Sequence, residues 1–347
     1  MLSYLEELCA ICGVSGDEDA VRDYLTECIA QFPDILEVRT DALGNLLVHK
    51  RGKVRTERTI LIGAHMDEVG LLITGIRADG TLSVAAVGGV DADVVLGRNV
   101  MVGRQKLPGV IGSTPIHLLS AGKRDEKPKF DELYADIGAK DAEEAKHHVS
   151  PGDSIYFMGE YTALGGGRVM AKAIDDRFGC AVMLKLLSGE IPCDAWFAFF
   201  VQEEIGLRGS RTAAYAINPD IALILEATTA ADLDGVTGDA AVCRLGGGPV
   251  VSFMDRSTIY DKELYRMAFA IAQDMGIPCQ TKSRIAGGND AGAVHVSRGG
   301  VRTLAISVPC RCLHSPSCTT QVSDMEQCMA LTERLMEKIA DDQTTGA

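Results

Sequence analysis

The segment TILIGAHMDEVG, residues 59–70, constrains the fold of this chain more than any other stretch. Its first six residues are mostly apolar, and such a run is typical of a strand that is buried on both faces of a sheet. The run stops at His65, and Asp67 follows two positions later. Ligands of open α/β sheets collect at the carboxyl ends of the strands, so we expect this segment to carry part of a functional site.

Strands and helices alternate near both ends of the chain, which predicts an α/β fold with a mostly parallel sheet sandwiched by helices. The predicted helices cover residues 1–31, 176–188, 261–275 and 323–340, and the predicted strands cover 59–64, 195–201, 221–226 and 301–308. Residues 70–160 are instead rich in Gly and Val with frequent turn signals, which is typical of a small all-β module. We therefore predict an α/β domain over 1–69 and 163–347, interrupted by an inserted β-barrel-like domain over 70–162.

The net charge and the lengths of the apolar runs argue against nucleic-acid binding and against a membrane span. The formal net charge of −14 disfavours nucleic acid, because phosphate binding needs a basic face. No run of about 18 apolar residues is present, so no membrane span is expected. The first residues contain no basic leader, and we expect a cytoplasmic protein in which most of the eleven cysteines are reduced and buried.

Each predicted strand end, or the loop beside it, contains a histidine or a carboxylate. These residues are His65 and Asp67, Asp175 and Asp176 in AIDDR, Glu203 and Glu204 in QEE, Glu226 in IALILE, and His314 in CRCLHSP. Imidazole and carboxylate bind zinc, and carboxylate-rich sites also accept cobalt or manganese. The sequence therefore predicts a site for two divalent cations at one edge of the sheet.

The residue types alone do not decide every role in this set, nor the role of one nearby turn. Asp67 is placed to accept the second ring N–H of His65, whereas Asp176 has the position of a helix N-cap. Of the neighbours Glu203 and Glu204, one can bind metal while the other handles protons, and their chemistry does not say which. The turn GGND at 287–290 is either a substrate-binding turn or a plain helix start.

The motifs AHMDEVG, AIDDRFG, VQEEIGLRG, LEATTAAD and GGNDAGAVHVSRGGVRTLAISVPCRCLHSP, which span nearly the whole chain, resemble one family. It is the dinuclear metallo-aminopeptidases of the tetrahedral type, also called glutamyl aminopeptidase or endoglucanase M homologues, with a zinc-peptidase-like fold. The resemblance implies removal of N-terminal residues from short peptides. It also implies assembly of dimers into twelve-subunit shells, with dimer contacts made by the inserted module.

The resemblance also implies a role for each residue of the set. His65 and Glu226 hold one metal, Glu204 and His314 hold the other, and Asp175 bridges both. Asp67 positions His65, and Glu203 is the general base for a metal-bridged water.

The chain departs from the family pattern at three positions. Glu226 stands where Asp is usual, and Cys312 and Cys318 replace an aromatic and an acidic residue near His314. Cys310 adds a third thiol to that segment. These departures leave the ligand set intact but bear on the shape of the substrate pocket. Two alternative functions stay open, which are a related metallohydrolase, such as a deacylase or carboxypeptidase, and a non-catalytic assembly protein of the same fold.

Overall fold

A computed structural model describes residues 1–344 of the chain. Its helices are α1 (Leu2–Ala10), α2 (Asp19–Ile29), α3 (Ala92–Val95), α4 (Ala142–Lys146), α5 (Ile174–Ser188), α6 (Arg208–Ile217), α7 (Lys262–Met275), α8 (Ala291–Val294) and α9 (Val322–Thr344). The strands up to the barrel's end are β1 (Ile35–Thr40), β2 (Leu46–Lys50), β3 (Ile60–His65), β4 (Gly70–Ile76), β5 (Leu82–Val87), β6 (Asn99–Val102), β7 (Leu107–Ser113), β8 (Leu133–Asp136) and β9 (Ser154–Phe157). The later strands are β10 (Thr162–Leu164), β11 (Arg168–Ala171), β12 (Ala195–Phe200), β13 (Ile221–Thr229), β14 (Val250–Val251), β15 (Gln280–Thr281), β16 (Arg302–Arg311) and β17 (Cys318–Gln321).

The main sheet has a parallel centre and antiparallel flanks. Its strands lie in the order β1-β2-β12-β3-β13-β16-β17-β11-β10, with the short strands β14 and β15 attached to β16. The neighbours β12, β3, β13 and β16 run parallel, whereas β1, β2, β17, β11 and β10 pair antiparallel. The predicted α/β class is confirmed, and the parallel part of the sheet is its central four strands.

Strand β3 lies at the centre of this sheet because its residues suit burial on both sides. All six are buried, as expected for a strand covered by helices on both faces. Gly63 is required there, since a Cβ at this position would lie 2.4 Å from the ring of Phe200 on the neighbouring strand β12. Phe200 itself pairs with His65 across β12 and β3, so this close packing lies next to the end of the strand that carries His65.

Helices cover both faces of the main sheet. Helices α1, α2, α5, α7 and α9 contribute to the larger apolar cluster on one face, and α6 and α8 contribute to a smaller cluster on the other. Asp261 caps the N-terminus of helix α7, because its carboxylate accepts the N–H groups of Glu263 and Leu264. Gly276, with φ 66°, caps the C-terminus. Over residues 1–344 we find no helix that is long and apolar enough to cross a bilayer.

The inserted module is a closed antiparallel barrel, as predicted. Its strands follow the order β4-β5-β8-β7-β6-β9, and β9 pairs back to β4. The barrel has its own apolar core, which is separate from the clusters of the main sheet. Only residues 66–69 join β3 to β4, so the barrel starts directly beside His65. The division of the chain at residues 69 and 163 stays a prediction.

Three elements differ from the expectations. The helix predicted over 1–31 is wrong in its middle, because Gly16 has φ 90° and Val14 pairs with Glu68, so α1 and α2 are separate. The strand predicted over 221–226 runs on to Thr229, so Glu226 lies within β13 rather than at its end. Helix α6 was not predicted. Its buried residues Gly209, Ser210, Ala213 and Ala214 are all small, so no run of large apolar side chains marks the helix in the sequence.

Candidate metal centre

His65 is the last residue of β3, and its side chain is only 2% exposed. Its Nε2 atom lies 3.3 Å from Asp175 Oδ1 and 3.6 Å from Glu226 Oε1. Its Nδ1 atom lies 3.1 Å from the backbone carbonyl of Asp67. If Nδ1 carries the hydrogen and donates to that carbonyl, the lone pair of Nε2 points to the two carboxylates and is free to bind a cation.

His314 lies in the turn between β16 and β17 with φ 56°, and its side chain is 32% exposed. Its Nε2 atom lies 3.4 Å from Asp175 Oδ2 and 3.3 Å from Glu204 Oε2. Its Nδ1 atom lies 3.0 Å from the carbonyl oxygen of Gly89, which follows barrel strand β5. The barrel module therefore orients this second imidazole in the way that Asp67 orients the first.

Asp175 stands between the two histidines, and each of its oxygens faces one of them. The peptide bond that joins it to Asp176 is cis. Asp175 Oδ1 is buried, yet it finds no hydrogen-bond donor among residues 1–344. A buried carboxylate without a donor, flanked by imidazoles and further carboxylates, suits a divalent cation on each side of it.

The electrostatics of this cluster also fit cations. Burial raises the pKa of Glu204 to about 7, with the charge of Asp175 adding to the effect, and the same two causes raise the pKa of Glu226 well above its ordinary value. Burial lowers the pKa of His314, but Asp175 and Glu204 outweigh it and raise this pKa to about 9. So many carboxylates in one buried space need a compensating positive charge, which protons or metal ions can supply.

Asp67 holds the segment that carries the paired glutamates. Its Oδ1 accepts the backbone N–H of Glu203 at 3.0 Å, and its Oδ2 accepts the N–H of Glu204 at 3.2 Å and the hydroxyl of Ser15 at 2.6 Å. The carboxylate lies 3.5 Å from His65 Nδ1, farther than the carbonyl of the same residue. The expected contact with His65 is therefore made mainly through the backbone of Asp67, while its carboxylate fixes the glutamates.

Glu203 and Glu204 occupy different places despite being neighbours. Glu204, His65 and Asp175 each have one possible metal-binding atom that lies within 4.8 Å of those of the other two. Glu203 does not belong to this group. Glu203 lines the adjoining cavity together with His65, Asp175 and Glu204. Burial raises its pKa well above the ordinary value, His65 opposes this, and the charge of Asp290 adds to it. Glu203 therefore lies beside the group of possible ligands with a pKa that its surroundings shift strongly.

Comparison with known proteins identifies the family. The M42 glutamyl aminopeptidase family matches residues 44–331 of the chain. The chain belongs to this family. The M42 family resemblance inferred from the motifs is thereby confirmed.

Two curated relatives span almost the same length as this M42 chain. The glutamyl aminopeptidase of Lactococcus lactis is 31% identical over 97% of each chain. The lysyl aminopeptidase of Pyrococcus furiosus is 32% identical over 94% of each chain. The two names differ in the amino acid that they specify, so membership of the family leaves the preferred residue open.

Two solved structures share the fold of this M42 chain. A TET aminopeptidase from a marine sediment Thaumarchaeota archaeon matches with a TM-score of 0.93 and 31% identity, covering 99% of this chain and 98% of the other. The TET1 peptidase of Pyrococcus horikoshii, which can assemble into a tetrahedron or a large octahedral shell, matches with a TM-score of 0.83 and 37% identity over 98% of each chain.

Asp176 combines its expected role with proximity to the centre. Its Oδ1 accepts the N–H of Gly179 at 2.9 Å, which is the N-cap bond that the sequence suggested. Its Oδ2 is buried without a partner in the part of the chain described. It also lies in a close group with His65 and Glu226, so two adjacent aspartates approach the same histidine.

Sequence reasoning missed a buried ion pair next to the centre. Lys172 Nζ lies 2.7 Å from Glu68 Oε1 and 2.9 Å from its Oε2, and both side chains are 3% exposed. Lys172 also donates to the carbonyl of Ile11, and Glu68 Oε1 accepts the N–H of Gly13. The pair joins the Asp67 and Asp175 segments to the chain between α1 and α2. The only sequence signal was that Glu68 and Lys172 adjoin those two motifs.

The cavity next to the centre has a volume of about 260 Å³. Its wall includes Gly287, Gly288 and Asn289 of the GGND turn, and Asn289 Oδ1 also accepts the N–H of Ala291 at the start of α8. The turn thus starts helix α8 and also forms part of the cavity wall, and its binding of substrate stays a prediction. Of the unusual cysteines, Cys318 is buried 3.4 Å from the carbonyl of Cys312, whose side chain is exposed. The structure offers no reason for the replacement at Cys312.

Proposed function

We propose that this chain is a metal-dependent aminopeptidase that removes N-terminal residues from short peptides. The observation that carries the proposal is the position of Asp175, whose two oxygens each face one histidine at 3.3 and 3.4 Å. Glu226 and Glu204 complete the two sides, and Glu203 lines the cavity beside them. Membership of the M42 family supports the same reaction.

Each half of the centre would hold one divalent cation. His65, Glu226 and Asp175 are the proposed ligands of one, and His314, Glu204 and Asp175 are those of the other. Zinc suits this imidazole and carboxylate set, with cobalt or manganese as alternatives. When bound, two such cations lower the pKa of a shared water and polarise the substrate carbonyl.

Glu203 is the proposed general base. It takes a proton from the attacking water and gives it to the amine that leaves, which are the usual two tasks of one carboxylate in peptide hydrolysis. Asp67 keeps it in place, because the Asp67 carboxylate binds the backbone N–H groups of both Glu203 and Glu204. A substrate with a free α-ammonium also needs a negative partner near the centre, and Glu226 is a candidate.

We also propose that the chain forms a homo-oligomer, in which dimers assemble into a dodecamer. The related TET1 peptidase forms closed shells. In the barrel module, Ile116 and Leu118 are 65% and 67% exposed, which supplies two apolar side chains that a subunit contact would cover. Light scattering that gives the mass of one chain at micromolar concentration would contradict this assembly.

The activity is tested with one pair of substrates. The metal-loaded protein should hydrolyse an unblocked aminoacyl anilide and leave its N-acetylated counterpart intact. Release of acetate from the acetylated compound would identify a deacylase, and hydrolysis of an N-acetylated dipeptide with a free C-terminus would identify a carboxypeptidase. No hydrolysis of any of these compounds would favour an assembly protein. Metal content measured by mass spectrometry on the same sample should approach two divalent cations per chain.

A further inference from the structure

Glu68 lies where the chain between α1 and α2 meets the segment that carries Asp67. Its backbone N–H donates to the carbonyl of Gly13 at 2.9 Å, and its carbonyl accepts the N–H of Ser15 at 3.3 Å. Its Oε1 also accepts the N–H of Gly13 at 3.0 Å. Both the backbone and the side chain of Glu68 therefore hold it against the connection between the two helices.

Lys172 links the same connection to the segment that carries Asp175. Its ammonium group donates to the two oxygens of the Glu68 carboxylate at 2.7 and 2.9 Å, and to the carbonyl of Ile11 at 2.9 Å. These bonds use all three donors of the ammonium group. Lys172 stands three residues before Asp175, so a buried and fully bonded cation anchors the segment of the proposed bridging ligand.

Arg177 supports this segment from its other end. Its side chain is fully buried, and its Nη1 donates to two carbonyls at the end of α1, among them that of Ile11 at 3.3 Å. Its Nη2 lies 3.6 Å from Glu68 Oε1. Asp175 therefore lies in the sequence between two buried cations, Lys172 and Arg177, which both bind the same carbonyl.

The ion pair of Glu68 and Lys172 borders the proposed metal centre directly. The two side chains line a cavity of about 10 Å³, which is room for about one water molecule. Asp175, Glu204 and His314 line the same cavity. Because protein interiors are close-packed and transmit strain, a shift of the ion pair should displace these proposed ligands.

Stability alone is a weak reason for a buried ion pair. The cost of removing two charges from water offsets their attraction, and apolar side chains of similar volume often hold a core together equally well. An ammonium group with three fixed acceptors has a defined position, whereas an apolar side chain packs without direction. This property favours a role in the geometry of the centre.

We infer that Glu68 and Lys172 are positioning residues, whose ion pair fixes the segment of Asp67 against the segment of Asp175. The inference rests on the proposed function, because it takes Asp175 as the ligand that bridges two cations. The distances between the proposed ligands then depend on two side chains that touch neither the metal ions nor the substrate.

The test removes both charges at once, with Glu68→Gln and Lys172→Met in one variant. Gln keeps an acceptor for the N–H of Gly13, and the change leaves neither partner of the pair as an unpaired charge, so the fold should persist. In the metal-free protein, the two backbone N–H groups that the Asp67 carboxylate binds should exchange hydrogen roughly 10-fold faster than in the wild type. Hydrogen exchange with mass spectrometry measures this rate.

Two further measurements use the metal-loaded double variant. The visible absorption spectrum of its cobalt form should differ from that of the wild type, because the ligands change their positions around the ion. With an aminoacyl anilide, kcat should fall roughly 10- to 100-fold while KM stays near the wild-type value, since misplaced reacting groups slow the chemical step.

Lys50→Met is the matched control, because it removes another fully buried lysine at the opposite edge of the sheet. Lys50 pairs with Ala195, the first residue of β12, whereas Glu203 and Glu204 follow the end of that strand. This control should keep the wild-type exchange rate, cobalt spectrum and kcat. If the double variant does not fold, Glu68→Gln alone takes its place, because Lys172 then keeps its bond to the end of α1.

Three results would overturn the inference. They are a wild-type exchange rate in the double variant, a wild-type cobalt spectrum in that variant, and the same faster exchange in the Lys50→Met control. Failure of the proposed function has a different signature, which is a wild type that hydrolyses no anilide or binds no metal. The exchange experiment still decides the positioning role in that case, because it uses the metal-free protein.

Discussion

The two halves of the proposed metal centre differ in how firmly the fold holds them. The His65 half, His65 with Glu226, stands on two neighbouring central strands, β3 and β13, and its side chains are 2% and 8% exposed. The His314 half, His314 with Glu204, stands on two turns, and the imidazole is 32% exposed. His314 also depends on Gly89 of the barrel for its orientation.

This difference has a physical consequence for metal binding. Buried residues of central strands become exposed only when the most stable part of a protein unfolds. Turns unfold locally with a small change in free energy. The His65 half should therefore be preorganised, and the His314 half should exchange its cation more readily. Asp175 is a proposed ligand in both halves. Its replacement should therefore weaken metal binding in both and remove the difference between them.

Asp175→Ala should have the largest effect. Each bound cation contributes several kcal/mol to catalysis, so losing both should lower kcat by at least ~10⁴-fold. Metal content measured by mass spectrometry should fall well below one cation per chain. Full occupancy by two cations in this variant would contradict the bridging role, and circular dichroism would check that the fold persists.

Glu203→Gln should lower kcat by ~10²–10⁴-fold, which is the usual contribution of general acid–base catalysis. Its metal content should stay near that of the wild type, because all five proposed ligands remain.

Glu204→Gln is the matched variant, since it makes the same chemical change one residue away. It should weaken binding in the His314 half, and excess metal should partly restore its activity. The opposite behaviour of the two variants would show that the two roles are reversed.

The sequence predicted which side chains lie together better than it predicted their supports. His65, Glu203 and Glu204 follow apolar runs that end at one sheet edge, so strand pattern and ligand chemistry together located them. Gly89 and Ser15 were not predicted, because a carbonyl or a single hydroxyl carries no signal about a partner far away in the chain.

For the fold, too, the main elements were predictable from the sequence, whereas details that depend on long-range contacts were not. The alternation of strands and helices predicted the α/β body, and the change of texture at residue 70 predicted the barrel. The break between α1 and α2 depends on the pairing of Val14 with Glu68, and the extension of β13 depends on its pairing with β16. Such long-range pairings override local propensity and are invisible to periodicity.

Stepwise removal of metal with a chelator should reveal a smaller effect, which is a difference in metal affinity between the two halves. In His314→Gln one cation should remain bound by the His65 half, whereas His65→Gln should lose metal from both because Asp175 then lacks its buried neighbour. In the wild type we expect the first cation to leave at a chelator concentration on the order of tenfold lower than the second. Isothermal titration and metal analysis measure both steps. Simultaneous loss of the two cations would contradict the difference between the halves.

The smallest expected effect concerns Glu18, which anchors the segment of Glu203 and Glu204. Glu18 is 4% exposed, and its Oε1 accepts the N–H groups of Gly16 at 2.7 Å and of Gln202 at 3.1 Å. Burial raises the pKa of Glu18 to about 7, although the backbone N–H of Gly16 opposes this. The folded state thus binds the proton more tightly than the unfolded state, where the pKa is about 4.3.

The stabilisation from this proton is complete below the unfolded pKa and is lost as the pH rises through about 7. Between pH 6 and pH 8 the wild type should lose about 1 kcal/mol of unfolding free energy to this group. Glu18→Gln should lack this loss, since its amide oxygen still accepts both N–H groups and cannot ionise. Urea denaturation in the presence of a chelator, at fixed protein concentration, measures the difference without metal binding. Parallel pH profiles for both proteins would mean that Glu18 is already ionised at pH 6, and that its carboxylate anchors the glutamate segment as an anion.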